Sequence, residues 1–146
     1  MLKGIDRAIT AELLHALMLM GHGDDIVICD VNHPAATIAR HTTYGRLVDL
    51  GGCTIPQAVR AILTLMPVDT FVDQPIHRMQ VVGEPAKELP LFGEVKAMAE
   101  AAEGRPIRMG LLERFAFYEA AKRAFVIVRT ADPGPYGCFI VRKGVI

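Results

Sequence analysis

The chain carries no excess charge of either sign. Lysine plus arginine and aspartate plus glutamate number 16 each, and no basic run exceeds two residues, which argues against a nucleic-acid partner. Cysteine is equally sparse: Cys29, Cys53 and Cys138 are odd in number, far apart and without a C-x-x-C pair. Neither a disulfide framework nor a zinc knuckle is implied. No apolar run approaches the roughly 20 residues that cross a bilayer, and the opening MLKGIDRAIT lacks the apolar stretch of a signal peptide, so a cytoplasmic protein without a membrane partner is expected. Two enzyme signatures are absent as well, the G-x-x-x-x-G-K phosphate loop and the G-x-S-x-G serine elbow. Gly21-His22-Gly23-Asp24-Asp25-Ile26 begins like a dinucleotide fingerprint, but it lacks the third glycine and follows a helical stretch where a strand is required.

What is present is apolar. Hydrophobic residues make up 51 % of the chain, and zero net charge opposes no association, so a subunit of an oligomer is expected. A length of 146 residues fits one domain spanning 1–146.

Periodicity and punctuation place the elements. Thr10 caps a helix over 10–20, where Leu13, Leu14, Leu17 and Met18 form a stripe and Gly21 stops the run. A buried strand over 26–29 follows, then a short helix and loop over 33–45 and a short strand over 46–49. Thr54 and Gln57 have capping-box spacing for a helix reaching about Met66. A strand lies within 75–82, a helix over 91–103 ends at Gly104, and a strand runs over 107–111. A helix over 113–123 leads to the strand 125–130, and after the turn Asp132-Pro133-Gly134-Pro135 a last strand, 138–142, is placed to pair antiparallel with the one before it. Strands alternating with helices predict an α/β domain: a largely parallel sheet, helices on both faces, and a terminal antiparallel strand pair.

Polar residues concentrate at the two ends of strand 26–29. His22 stands between two glycines on one side, where a loop presents an imidazole; Asp30, Asn32 and His33 stand on the other. These histidines and carboxylates have no i, i+4 pair on a helix, and four residues of strand separate the two groups by about 13 Å, so no metal is expected. The same separation sets His22 apart from Asp30 within one chain, unless the His22 loop folds back or each residue meets a different part of the ligand. Arg114 and Tyr118, four residues apart, project from one side of their helix and offer a cationic fork and a phenol; Tyr136-Gly137 opens the last strand.

Taken in order, Gly21-His22-Gly23-Asp24, Asp30, Arg114-Phe115-Ala116-Phe117-Tyr118-Glu119, Tyr136-Gly137 and the closing Lys143-Gly144-Val145 resemble the fucose mutarotase and ribose pyranase family, with the opening Met1-Leu2-Lys3 also alike. The run over 114–119 resembles the fucose branch. The resemblance implies a small cytoplasmic subunit of a ring-shaped homo-oligomer, typically a decamer, that interconverts the α and β anomers of L-fucose or a similar aldose without cofactor or metal. It assigns His22 as the catalytic histidine, Asp30 and Arg114 as sugar-binding residues, and Tyr136-Gly137-Cys138 as the match to a Tyr-Gly-Asn sugar-binding run. Cys138 departs from that run, because a thiol does not reproduce an amide's donor and acceptor.

Anomer exchange opens the hemiacetal: a base takes the anomeric hydroxyl proton while an acid protonates the ring oxygen, and re-closure reverses the roles. An imidazole, with an ordinary pKa of about 6.5, serves in either direction. On this reading His22 acts with Tyr118 or Tyr136 as its catalytic partner. The alternative is a monosaccharide-binding or sensing subunit without turnover.

Overall fold

Caps fix where the helices start. In the computed structural model of the protein, which describes residues 2–146 and leaves Met1 outside the described residues, the Leu13 amide donates to the Thr10 hydroxyl and opens α1 (Ala11–Leu19). The chain continues through β1 (Asp25–Cys29), α2 (Ala35–Ala39) and β2 (Leu47–Leu50). Helix α3 (Ile55–Leu63) opens on the full reciprocal Thr54/Gln57 capping box, and its last turn reaches the expected Met66, whose amide donates to the Ile62 carbonyl at 2.9 Å before Pro67. Strand β3 (Ile76–Met79) precedes α4 (Pro90–Glu103), which Gly104 closes in the left-handed conformation at φ +64°. Strand β4 (Met109–Leu112) runs into α5 (Arg114–Lys122), capped by the Glu113 carboxylate, and β5 (Val126–Thr130) and β6 (Cys138–Arg142) complete the chain.

The six strands form one sheet in the order β2-β5-β1-β6-β3-β4, and β6 alone runs against the other five. Its antiparallel direction is as expected; its neighbour is not. Strand β6 pairs with β1 and β3, never with β5. Two bonds explain the detour: the Val31 amide donates to the Asp132 carbonyl at 3.1 Å and the Asp30 amide to the Gly137 carbonyl at 2.8 Å, so the Pro-Gly-Pro segment crosses the end of β1 and returns on its far side. The composition of β6 fits that place. Cys138, Phe139, Ile140 and Val141 are all buried, and four consecutive apolar residues need cover on both faces and both edges.

Alternation along β1 divides the interior. Ile26 and Ile28 face a cluster with Leu13, Leu17, Val59, Ile62, Phe92 and Val95 from α1, α3 and α4, whereas Val27 and Cys29 face Ala35, Ile38, Phe117 and Ala121 from α2 and α5. The result is a single α/β domain with helices on both faces. Among the described residues no helix is long and apolar enough to cross a membrane.

Candidate functional site

Because β6 runs against its neighbours, its first residues lie at the edge where the parallel strands end. That edge of an α/β sheet is where loops leave room for a ligand. A cavity of about 240 Å³ opens there, with walls that include Asp30 after β1, Met79 at the end of β3, Arg114 and Tyr118 on α5, and Tyr136 and Cys138 entering β6. It is a little smaller than the roughly 300–1,000 Å³ usual for a ligand pocket. A second hollow of about 290 Å³, between the N-terminal segment and α1, is lined chiefly by Leu2, Ile5, Ile9 and Leu14; its polar lining, Asp6 and Thr10, already accepts from the Ala8 and Leu13 amides.

Asp30 organises the pocket. Its side chain is 2 % exposed, with Oδ1 accepting from the amides of Asn32 at 2.8 Å and His33 at 3.1 Å, and Oδ2 accepting from the Gly137 amide at 2.9 Å and the Cys138 thiol at 3.6 Å. Burial pushes its carboxyl above the ordinary aspartate range, against the pull of those four hydrogen bonds. The backbone of Gly137 passes close here: a Cβ would stand 3.3 Å from the Asp30 Cβ and from Ile55, a tight fit that would push on both. The preceding residue, Tyr136, takes φ +62°, an uncommon conformation for a residue with a side chain and one that concentrates at functional sites. The Val82 amide donates to the Tyr136 hydroxyl oxygen at 3.2 Å, which leaves the phenol's own proton free.

Two donors or acceptors in the pocket have no protein partner among the described residues: Arg114 Nε and His33 Nε2, both buried. A buried polar atom left unpaired costs about 1–3 kcal/mol, so each is a candidate partner for a ligand oxygen. The Arg114 guanidinium is steadied over the Phe115 ring at 4.6 Å, and the His33 ring stands edge-on to Phe117 and Tyr118 at 5.7 and 5.2 Å.

The structure thus brings together Asp30, Arg114, Tyr118, Tyr136, Gly137 and Cys138, and it does not bring His22 to them. His22 lies before the start of β1, at the opposite edge of the sheet, roughly 16 Å of strand away. Its loop is held firmly. Gly23, at φ +84°, donates its amide to the Lys143 carbonyl at 2.9 Å, and the Lys143 ammonium caps the last turn of α1 through the Leu17 and Met20 carbonyls. Gly144 then passes so close to Val68 and Asp69 that a Cβ would stand 2.9 Å from their backbone. This closing segment seats Asp69 beneath His22.

His22 Nε2 is 3.1 Å from Asp69 Oδ1; a carboxylate only accepts, so that nitrogen carries the proton and Nδ1 is left as the basic atom. Asp69 is 2 % exposed, His22 44 %. Burial works to raise the Asp69 carboxyl, but the Phe71 amide and His22 outweigh it and hold the group below the usual range. Phe71 covers the imidazole with ring centroids 5.0 Å apart, and its own ring is 73 % exposed. Asp69 is a residue that sequence reasoning missed, since nothing in the spacing of Pro67-Val68-Asp69 links it to a histidine 47 residues earlier. His33 was visible as part of the polar group around Asp30, but not as a wall of the pocket. Among the described residues, no group of three or more His, Cys, Asp or Glu side chains is arranged to hold a metal ion.

A doubly covered α/β sheet carries, at its strand ends, a pocket where a carboxylate, an arginine, an imidazole and two phenols meet, groups suited to hydrogen-bond a small hydroxylated ligand. The chain belongs to the RbsD / FucU transport protein family, whose profile matches residues 3–146. It is 40 % identical to the human fucose mutarotase over 148 aligned residues, covering 99 % of this chain and 94 % of that one, and 36 % identical to the L-fucose mutarotase of Histophilus somni, covering 99 % and 97 %. Among solved structures it is similar to the fucose mutarotase of Streptococcus pneumoniae in complex with L-fucose, at 37 % identity and a TM-score of 0.88 over 99 % of both chains.

Proposed function

We propose that the protein is a mutarotase, a cofactor-independent isomerase that interconverts the α and β anomers of L-fucose or a similarly configured aldose. The observation that carries the reading is the pocket, where an unpaired arginine nitrogen, two phenols and a buried carboxylate converge in a space suited to a monosaccharide. Full-length likeness to proteins named fucose mutarotase supports it.

Arg114 anchors a sugar oxygen, and Asp30 Oδ2 accepts a sugar hydroxyl alongside the Gly137 amide and the Cys138 thiol, which both stay in place. Tyr136 gives its free hydroxyl proton to the ring oxygen, with Tyr118 placed to share that role. As the ring C–O bond breaks, a base takes the anomeric hydroxyl proton; closure on the other face returns both protons.

The base is His22, and it comes from a neighbouring copy. Large apolar side chains are exposed at both edges of the sheet, Met18, Leu19 and Phe71 on the His22 side and Val31, Val82 and Phe115 on the pocket side. Contact between two different patches is heterologous, and repetition of such a contact closes rings. The reading therefore includes a ring, a decamer by likeness to the family, at work on free sugar in the cytoplasm without a nucleic-acid or membrane partner. Light scattering at micromolar concentration is expected to show an assembly well above a dimer; a monomer would leave His22 remote from the pocket and remove this mechanism.

A second reading has one observation in its favour: within a single chain the pocket lacks His22. A monosaccharide-binding subunit without turnover would need no such base. Magnetisation-exchange NMR between the α and β anomers of several aldoses separates the two, since a mutarotase speeds exchange and a binder only broadens or shifts the signals. Arg114→Ala is expected to weaken sugar affinity by about 1–3 kcal/mol, the range for a charge-assisted hydrogen bond. Unchanged affinity in that variant would take Arg114 out of the site.

A further inference from the structure

The pocket contains a buried imidazole that the mechanism above does not use. His33 is 6 % exposed, forms part of the cavity wall, and leaves Nε2 without a partner among the described residues, while its Nδ1 lies 3.5 Å from the Cys138 sulfur. That sulfur lies in turn 3.6 Å from Asp30 Oδ2.

The three groups fix one another's protons. A thiol has one proton to give and two acceptors here, and the carboxylate, being charged, is the stronger. With S–H directed to Asp30, the sulfur presents a lone pair to His33, so Nδ1 carries the ring proton and donates it to sulfur. Neutral imidazole has one N–H, and Nε2 is left as a bare acceptor. Burial keeps the ring and the thiol neutral beside the carboxylate: it lowers His33 to about 4 and pushes the Cys138 thiol well above its ordinary range. The thiol is wholly occupied in this relay and offers the pocket nothing polar of its own.

We infer that His33 Nε2 accepts a hydrogen bond from a hydroxyl of the bound monosaccharide, and that His33, oriented through the Cys138 thiol by Asp30, is a specificity-determining residue of this chain. The inference rests on the sugar-binding reading above. It assigns to position 33 a contact that the sulfur at 138 cannot make. Tyr118 and Phe117, edge-on to the ring, hold it at the angle the contact needs.

The test compares the wild-type protein with His33→Phe, which keeps a flat ring of similar shape without its nitrogens. Affinities are measured for L-fucose and for its singly deoxygenated analogues. His33→Phe is expected to bind L-fucose about tenfold more weakly, the loss of one net hydrogen bond. One deoxy analogue is expected to bind wild type about tenfold more weakly than L-fucose does and to show no such deficit with the variant. Nitrogen-15 NMR of the wild-type histidine rings gives a second readout that needs no variant: the Nε2 resonance of His33 shifts on adding L-fucose. Equal affinity of wild type and a folded His33→Phe for every analogue, or an Nε2 resonance that L-fucose leaves unmoved while it binds, overturns the assignment. Wild type that binds no monosaccharide overturns the sugar reading itself, a different result from binding that ignores His33.

Discussion

Replacing His22 by alanine is expected to bring anomer exchange down to the rate in plain buffer, a loss of roughly 10²–10⁴-fold, the usual contribution of a general acid–base. Sugar affinity should be almost unchanged, because the contacts assigned to the sugar come from the opposite edge of the sheet. The geometry sharpens the choice of control. Asp69 is 2 % exposed and accepts one of its hydrogen bonds from His22, so removing the ring withdraws a partner from a buried charge and costs about 1–3 kcal/mol of stability. His22→Gln keeps an N–H donor for Asp69 and has no basic nitrogen; it should be as inactive as the alanine variant and more stable. Magnetisation-exchange NMR on both variants, with light scattering to establish that the assembly persists, gives the answer. Either variant exchanging anomers as fast as wild type ends the assignment.

Local rules were readable in the sequence, and long-range ones were not. Thr10, the Thr54/Gln57 pair and Gly104 act within one turn of their helices, so the residue types alone located those ends. Arg114 and Tyr118 were readable as a pair because a helix places residues four apart on one side, and both line the cavity. The position of β6 was hidden, since a strand's neighbours depend on how the whole sheet is covered; a hairpin after Pro133-Gly134 satisfied every local signal, and burial of four consecutive apolar residues between β1 and β3 overrode it. Asp69 and His33 were hidden for the same reason. Each takes its role from a partner on a distant element, His22 for one and Cys138 with Tyr118 for the other. Cys138 itself was legible only as a substitution with no evident compensation. The structure supplies a neighbour of suitable chemistry, an imidazole in contact with that sulfur.

Burial of His33 also makes stability depend on pH, and the direction follows from which state holds the proton more tightly. The ring's pKa is about 4 in the folded chain and 6.5 ordinarily, so between these values the unfolded chain takes up a proton that the folded chain refuses. Folding is therefore favoured above pH 6.5 and loses ground as pH falls toward 4; below 4 both states are protonated and the loss stops growing. The gap corresponds to about 3 kcal/mol, a large part of the net stability of a domain this size. Other groups act in or near the same range: burial lowers His77 as well, adding a loss of the same sign, and it raises Asp30, whose folded form gains a proton more readily and recovers some stability at low pH. Asp69, held below the ordinary range, adds a loss only at still lower pH. Comparison with His33→Phe cancels these shared contributions. Urea unfolding at one protein concentration, from about pH 7.5 to about pH 4, should show the wild type losing about 3 kcal/mol more than the variant, which cannot bind the proton. Parallel curves would mean that His33 is charged or hydrated in the folded protein, and with that the bare acceptor assigned to Nε2 would be lost too.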